Sequence, residues 1–231
     1  MLTIALNKGS RILGKCLPLL AAAGIEPSED LSVTRKLVVP SICGSARLVI
    51  MRGDDVPTFV EYGAADIGVV GKDTLLETAA TEYFERLDLG VARCNLMTAG
   101  LPHAPAPIGP LRVATKFTKT ALAFFAEQGQ QVNIIKLSGA LELAPQLGLA
   151  DQIVDIVETG DTLRANGLVP LEVVTQISTR VIVNRAAMKT RHDEIESLLT
   201  RLRTVVEDEV CLLYTSPSPR DQRGSRMPSS A

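Results

Sequence analysis

Tryptophan is absent from the 231-residue sequence, and aromatic residues of all kinds make up only 3%. A buried core must therefore be built mainly from Leu, Val, Ile and Ala, since hydrophobic residues still reach 46%. An aliphatic composition of this kind suits a parallel β-sheet covered by helices. The length allows one large domain or two small ones.

Cysteine and histidine are also scarce, with four and two residues, and no two cysteines have CxxC spacing. The cysteines are Cys16, Cys43, Cys94 and Cys211. A zinc site or a disulfide framework is therefore not expected, and a reducing cytoplasm is the expected location. No apolar run approaches the roughly 18 residues of a membrane span, and the first residues lack the basic and apolar regions of a signal peptide.

A strong charge of either sign is missing too. The sequence holds 24 basic and 26 acidic residues, a formal net charge of -2. This balance excludes a general basic field, so we expect no nucleic-acid partner. Neither a GxGxxG nor a GxxxxGK[ST] string occurs, which argues against the two common nucleotide-binding loops. Any polyanionic substrate must be held by local groups.

Short apolar runs alternate with helical patterns along the chain, which predicts an α/β fold with largely parallel strands. In the first part, strands are predicted over Leu2 to Leu6, Arg47 to Met51 and Asp66 to Val70. A helical pattern follows Arg11, begins at Ile12 and stops at Gly24, and a short helix is predicted over Asp54 to Tyr62. Four residues follow predicted strand ends, where α/β sheets bind phosphates. They are candidate phosphate or ATP ligands: Lys8, Gly9, Arg52 and Lys72.

A Pro- and Gly-rich stretch from Gly100 to Pro110 predicts a loop near a domain crossing. In the second part, strands are predicted at 112–114, 132–137, 152–157, 172–176 and 179–184, and helices at 118–128, 141–147, 162–166 and 186–209. The last helix has one apolar stripe. We therefore expect a discontinuous domain I (1–95 plus about 177–209) and a domain II (96–176). Residues 210–231 lack periodicity and suggest a non-native disordered tail, with a natural disordered tail as the alternative.

The most informative segment runs from Glu142 to Leu163. A predicted strand delivers the chain into the sequence Glu-Thr-Gly-Asp-Thr at 158–162, where a helix is expected to begin. Gly160 allows close backbone approach, and the Thr159 and Thr162 hydroxyls with successive N–H groups could cradle an anion. Asp155 could accept hydrogen bonds from sugar hydroxyls, as could Glu142. An ordinary strand–turn–helix junction with a Thr cap is the alternative.

This segment, with its pattern E-x5-G-x-A-x2-I-x-D-I-x2-T-G-x-T-L, resembles the signature of the ATP phosphoribosyltransferases. Further matching segments are Leu6 to Arg11, Asp55 to Lys72, Arg112 to Lys116, Lys136 to Gly139 and Asn166 to Leu168. Together they extend the resemblance over residues 1 to about 209. One departure is Ser10, which separates Gly9 from Arg11 where the family has Lys-Gly-Arg.

The resemblance implies two α/β domains like those of periplasmic binding proteins, with the active site in the cleft between them. It implies Mg²⁺-dependent transfer of a phosphoribosyl group from phosphoribosyl pyrophosphate to N1 of ATP, the first step of histidine biosynthesis. The chain resembles the short form of the family. It would then form a homo-oligomer that assembles with a regulatory subunit related to histidyl-tRNA synthetase.

The resemblance also implies roles for individual residues. Residues of the 158–162 segment would hold the 5′-phosphate, namely Thr159, Gly160, Asp161 and Thr162. The Asp161 backbone N–H is expected to act there, with its carboxylate turned away. Glu142 and Asp155 would face the ribose hydroxyls. Arg11 and Arg35 would be the catalytic arginines that serve substrate binding and pyrophosphate departure, and no residue is assigned as a direct metal ligand.

Two alternatives use the same fold. A non-catalytic protein that binds a small ligand would need neither arginine nor a phosphate loop. An inactive paralogue would carry Ser10 as its lesion, since an extra residue in a phosphate-facing loop can displace the following guanidinium.

Overall fold

Two β-sheets organise the chain in this computed structural model, which describes residues 1–79, 82–104, 107 and 109–215, with the side chains of 10 and 209–215 excluded. The first sheet has six strands, and the second has five. The strands of the first sheet are β1 (Leu2–Asn7), β2 (Val38–Pro40), β3 (Ala46–Met51), β4 (Ile67–Gly71), β5 (Tyr83–Asp88) and β11 (Thr179–Asn184). Those of the second are β6 (Cys94–Gly100), β7 (Leu111–Thr115), β8 (Val132–Lys136), β9 (Gln152–Val157) and β10 (Val169–Ile177).

Eight α-helices accompany the sheets in the part of the chain that the structure describes. They are α1 (Ser10–Ala22), α2 (Val56–Glu61), α3 (Lys72–Glu77), α4 (Thr118–Glu127), α5 (Leu143–Gln146), α6 (Asp161–Ala165), α7 (Arg185–Thr190) and α8 (His192–Thr215). A 3-10 turn, Gly53–Asp55, precedes α2. Alternation of strands and helices confirms the predicted α/β class.

Strand direction is mixed in both sheets, so the prediction of largely parallel strands was wrong. The first sheet has the order β2-β3-β1-β4-β11-β5, and the second has β10-β6-β9-β7-β8. Parallel pairing joins β3, β1 and β4 in one sheet and β9, β7 and β8 in the other. The remaining pairings are antiparallel. Aliphatic runs of this kind fit a buried strand in either direction, because burial on both faces and not direction selects them.

Helices cover both faces of each sheet, which buries the aliphatic runs. On one face of the first sheet, a large core joins α1 and α8 to the strands, and its members include Leu19, Leu20, Leu198 and Leu199. On the other face, Val56 and Val60 of α2 pack beneath β4. In the second sheet, Phe125 of α4 lies in one core and Leu163 of α6 in another.

The predicted helix 186–209 is two helices in the structure. They meet at Arg191, whose φ of -133° leaves the helical region. The Arg191 guanidinium donates to the Met1 carbonyl at 2.8 Å and pairs with the Asp66 carboxylate at 3.1 Å. These contacts with the start of the chain fix the break, and a sequence pattern cannot show them. The predicted helix 141–147 is also shorter, with only Leu143–Gln146 helical.

Helix α8 continues to Thr215, beyond the predicted start of the disordered tail at residue 210. The predicted disorder of the tail stays a prediction. Residues 216–231 lie outside the described residues, and the suggested non-native origin of the tail stays a prediction.

The chain passes from the first sheet to the second between β5 and β6, and returns between β10 and β11. Antiparallel pairing of β6 with β10 sets Cys94 opposite Ile177, so the two crossings are neighbours. The parallel strands of each sheet direct their carboxyl ends toward the space between the sheets. The domain limits at 95 and 176 stay a prediction.

Candidate active site

A cavity of ≈ 460 Å³ opens between the two sheets, at the carboxyl end of β9. Its lining is Arg11, Glu142 and residues 155–163. Arg11 comes from the first turn of α1, after β1, whereas the other residues belong to the second sheet and its loops. The cavity therefore brings one predicted arginine to the predicted phosphoribosyl segment.

The loop at 158–162 has a backbone shape that glycine provides. Gly160 adopts the left-handed conformation with φ of 78° and caps the N-terminus of α6. A left-handed residue at this point turns successive N–H groups toward one side, as anion cradles require. Helix α6 has only five residues, so the helix dipole adds little and the N–H groups and hydroxyls must act directly.

The Asp161 carboxylate is held within its own turn. It accepts hydrogen bonds from the Thr159 hydroxyl at 2.5 Å and from the Arg164 guanidinium at 2.6 Å. These two donors, Thr159 first, lower the pKa of Asp161. Its negative charge is thereby balanced by Arg164.

Two other carboxylates face the same cavity. Asp155 lies on β9, half-buried, and accepts a hydrogen bond from the Ile156 N–H at 2.8 Å. Burial raises the pKa of Asp155, and the nearby Glu142 charge raises it further, whereas the Ile156 N–H and Lys116 oppose the shift. Glu142 immediately precedes α5 and is also half-buried. The pair offers adjacent oxygens to hydroxyl groups or to a cation.

Arg11 has neighbours that the sequence did not indicate. Its guanidinium donates to the Cys94 sulfur at 2.9 Å. Asp73, buried at the start of α3, has one carboxylate oxygen without a hydrogen-bond partner among the described residues. Burial raises the pKa of Asp73, and the Arg11 charge is the strongest opposing influence. Asp73 follows a strand end, as other candidates do, and could have been found on that basis. Cys94 carried no comparable signal.

The described lining of this cavity does not include the remaining candidates. Arg35 is exposed in the loop between α1 and β2, and Lys8 and Arg52 are exposed at strand ends. The Gly9 N–H donates to the Asn7 side chain at 2.9 Å. Lys72 forms an ion pair with Glu85 of β5 at 2.6 Å. Their predicted roles stay predictions.

Side chains from the two sheets also contact each other across the space between them. Lys15 of α1 lies 3.5 Å from Glu158, and Lys116 lies 3.1 Å from Asp54. Glu77 of α3 accepts hydrogen bonds from the first N–H groups of α4, at 2.9 and 3.1 Å. These contacts join the two sheets and their helices.

Comparison with known proteins identifies the family of this chain. The family profile described as ATP phosphoribosyltransferase matches residues 52–204. ATP phosphoribosyltransferases of Ectopseudomonas mendocina and Pseudomonas aeruginosa are each 58% identical over 207 residues, which cover 90% of this chain and 98% of each relative. This chain belongs to the ATP phosphoribosyltransferase family. The predicted membership and the predicted enzyme class, a pentosyltransferase, are thereby confirmed.

One solved structure supports the same assignment, and a second shares the fold. The ATP phosphoribosyltransferase (HisG:HisZ) complex of Thermotoga maritima contains a chain with 33% identity and a TM-score of 0.77, covering 90% of this chain and 99% of that one. The periplasmic aliphatic sulphonate binding protein of Escherichia coli has 15% identity and a TM-score of 0.58, covering 89% and 72%. The second likeness concerns the fold alone, and it confirms the predicted periplasmic-binding-protein-like architecture. Among the described residues, no helix combines the length and apolarity that crossing a membrane requires.

Proposed function

We propose that this chain transfers the phosphoribosyl group of phosphoribosyl pyrophosphate to N1 of ATP, giving phosphoribosyl-ATP and pyrophosphate. The observation that carries this proposal is the cavity that places Arg11 opposite Glu142, Asp155 and the 158–162 loop. It combines, in one space, a cation, two carboxylates and the Gly160 loop. The reaction would be the first step of histidine biosynthesis.

The 158–162 loop would bind the 5′-phosphate. Backbone N–H groups around Gly160 and the Thr162 hydroxyl would be the donors, and the Thr159 hydroxyl would join them on releasing its hydrogen bond to Asp161. Asp161 would contribute its backbone N–H, because its carboxylate is already engaged by Thr159 and Arg164. Fixing the 5′-phosphate holds the anomeric carbon in a constant position, which converts nucleophilic attack into a well-oriented step.

Arg11 would act on the leaving pyrophosphate. Negative charge grows on this group as its bond to the anomeric carbon breaks, and a fixed guanidinium stabilises that charge. Its neighbour Cys94 orients the guanidinium, since a sulfur acceptor at 2.9 Å restricts its rotation. Arg35 is the second arginine that the family resemblance assigns to this step.

Mg²⁺ is the expected cofactor. The carboxylates of Asp155 and Glu142 fit an ion that arrives bound to the substrate. No cluster of three or more metal-binding side chains occurs among the described residues, while Asp155 and Glu142 lie close enough for their charges to interact. Mg²⁺ is commonly bound by one or two carboxylates plus substrate phosphates. When bound there, it would neutralise charge on the pyrophosphate.

We also propose that the chain forms a homo-oligomer and works with a regulatory subunit related to histidyl-tRNA synthetase. The Thermotoga maritima relative was solved as a HisG:HisZ complex, which supports a partner of this kind. We place the enzyme in the cytoplasm, because Cys16, Cys43 and Cys94 are free thiols, which a reducing compartment preserves.

Pyrophosphate release by the full chain, supplied with ATP, phosphoribosyl pyrophosphate and Mg²⁺, is the decisive test. We expect release that requires both substrates and increases when a short-form regulatory subunit is added. A folded chain that binds a small solute but releases no pyrophosphate would be a binding protein instead. If deleting Ser10 then restored activity, the inactive-paralogue alternative would be correct.

The Asp155→Asn substitution should separate binding from stability. As a ribose or cation ligand, Asp155 must be ionised, and its raised pKa means that protonation begins at a higher pH than for an exposed aspartate. The KM for phosphoribosyl pyrophosphate should therefore rise as the pH falls toward that value. Asp155→Asn should raise this KM about tenfold at neutral pH, as loss of a charged hydrogen bond does, and should remove this part of the pH dependence.

The same substitution, which weakens substrate binding, should stabilise the folded protein. A carboxyl group whose pKa is raised by folding favours the folded state below its unfolded pKa and loses that contribution as the pH rises through the folded pKa. Asp155→Asn should thus increase the unfolding temperature at neutral pH and change it less in acid. Kinetics and thermal unfolding across the pH range measure both effects. A variant with unchanged KM would contradict the role of Asp155 in substrate binding.

A further inference from the structure

One buried carboxylate near the candidate active site has no role in the reaction as described above. Asp73 is only 8% exposed and lies in the first turn of α3, close to the end of β4. Its Oδ1 atom is shielded from solvent and accepts no hydrogen bond from any described residue. Burying a polar atom without a partner is unfavourable, and more so for a charged group. An orphaned group of this kind requires an explanation, and a part in catalysis is one.

The last residue of β4 leaves room for this carboxylate. A Cβ atom on Gly71 would lie 2.1 Å from the Asp73 Oδ1 atom, which is too close for two atoms that are not bonded. The φ of Gly71 is -70°, a value that residues other than glycine adopt freely, so the backbone does not require glycine here. Glycine at position 71 therefore serves the Asp73 side chain.

Asp73 and Arg11 lie near the ends of neighbouring strands. Because β1 and β4 are parallel and adjacent, the helices that follow them, α1 and α3, begin at the same edge of the sheet. The Ile12 side chain lies 3.5 Å from the same Cβ position on Gly71, which brings the first turn of α1 close to the Asp73 carboxylate. The residue before Ile12 is Arg11.

Three side chains from other elements interact with Asp73: Arg11 of α1, Lys116 after β7 and Cys94 of β6. Burial raises the pKa of Asp73, whereas the charges of Arg11 and Lys116 lower it. Burial also raises the pKa of the Cys94 thiol, and the Asp73 charge raises it further. Of these four residues, only Arg11 belongs to the described lining of the candidate active-site cavity. Asp73 can therefore reach the reaction through Arg11.

We propose that Asp73 is a positioning residue, whose carboxylate holds the Arg11 guanidinium in place at the cavity. The inference rests on the proposed function, in which Arg11 acts on the leaving pyrophosphate. The Cys94 sulfur is a weak acceptor and engages only one nitrogen of the guanidinium, so it restrains the long arginine side chain incompletely. A fixed anion nearby confines the guanidinium further. Its charge is then in place before the pyrophosphate departs, as electrostatic preorganisation requires.

Asp73→Asn keeps the shape of the side chain and removes its charge. In the full chain with the regulatory subunit, kcat should fall about tenfold, since a misplacement of 1 Å can cost up to about 10²-fold. The KM for ATP should stay within about twofold, because Arg11 acts on charge that develops only in the transition state. The kcat of the unsubstituted chain should fall as the pH drops through the pKa of Asp73, and the variant should lack this decrease.

The stability of the same variant separates positioning from a merely structural role. A carboxyl group whose pKa is raised by folding stabilises the folded state below its unfolded pKa and loses that contribution as the pH rises through the folded pKa. Asp73→Asn should therefore unfold at a higher temperature than the unsubstituted chain at neutral pH. A lower rate together with a higher unfolding temperature cannot come from damage to the fold.

Gly71→Ala moves the carboxylate without removing its charge. The new Cβ takes the space of the Asp73 Oδ1 atom, while the backbone accepts alanine without strain. We expect kcat to fall about fivefold or more, again through misplacement of the guanidinium. Gly14→Ala in α1 is the matched control, because a Cβ atom there meets no other atom within 4 Å. Its kcat should stay within about twofold of the unsubstituted chain.

A double substitution shows whether Asp73 acts through Arg11. If it does, Asp73→Asn should lower kcat no further once Arg11 is alanine. Additive losses would overturn the inference, as would an unchanged kcat in both Asp73→Asn and Gly71→Ala. If the chain releases no pyrophosphate, the proposed reaction fails separately, and a crystal structure of Asp73→Asn decides the matter. The Arg11 guanidinium should move away from the Cys94 sulfur, and an unchanged position would refute the inference.

Discussion

Replacing Arg11 with alanine is expected to lower kcat by about 10²–10³-fold, the usual effect of removing one well-placed electrostatic group from a transition state. Arg11 is the only cation from the first sheet and its helices in the described lining of the candidate active-site cavity, and it faces the 158–162 loop. The KM for ATP should change much less, because the charge that Arg11 stabilises develops during departure of the pyrophosphate. Steady-state kinetics with the regulatory subunit present would measure both quantities.

Lys15→Ala is the control for this prediction. Lys15 lies one turn further along α1 and pairs with Glu158 at 3.5 Å, but both side chains are about half exposed. Exposed ion pairs of this kind contribute about 0–1 kcal/mol, so the rate should fall by less than about fivefold. If both variants lost activity equally, the effect would reflect the charge of the helix and not the position of Arg11. A fully active Arg11→Ala variant would remove Arg11 from the mechanism.

Replacing Leu199 with alanine should destabilise the protein by about 2–5 kcal/mol, the range measured for truncating a buried leucine. Leu199 of α8 is completely buried in the core that α8 shares with α1 and the first sheet. Truncation leaves a cavity that packed neighbours such as Leu19 and Leu20 cannot fill. Urea unfolding would give the change in free energy, and the slope with denaturant should remain the same.

Thr200→Ala provides the comparison on the same helix. Thr200 is exposed, so its truncation should change the free energy of unfolding by no more than about 0.5 kcal/mol. Similar values for the two variants would contradict the packing of α8 on the first sheet. Residual activity of Leu199→Ala at low temperature would show that the core supports the site without taking part in it.

Much of the fold could be predicted because its elements have strong local signals. The apolar stripe of the last helix predicts its buried face, and Ile195, Leu198, Leu199 and Leu202 are all buried. The strand that ends before the 158–162 loop is also where the pattern indicates. Gly160 was predicted to allow close backbone approach, and its left-handed conformation is compatible with that expectation.

Other features depend on partners that are distant in sequence. Strands β2, β5 and β6 were not predicted: Val38–Pro40 is very short, and Tyr83–Asp88 is a half-exposed edge strand with three charged residues. The proximity of Arg11 to Cys94, and the burial of Asp73, arise only when the two sheets meet. Arg35 shows the limit of a resemblance, since the sequence suggests its role but not its distance from the cavity.

The order of the strands has a consequence for synthesis of the chain. The second sheet is built from one continuous segment, 94–177, whereas β11 and α8 of the first sheet follow that segment. Strand β5 pairs in its sheet only with β11, among the described strands. A growing chain therefore carries β5 without its neighbour until the second sheet has been made, and open strand edges promote association between chains. During translation, the first half of the chain to emerge is the last to complete its fold.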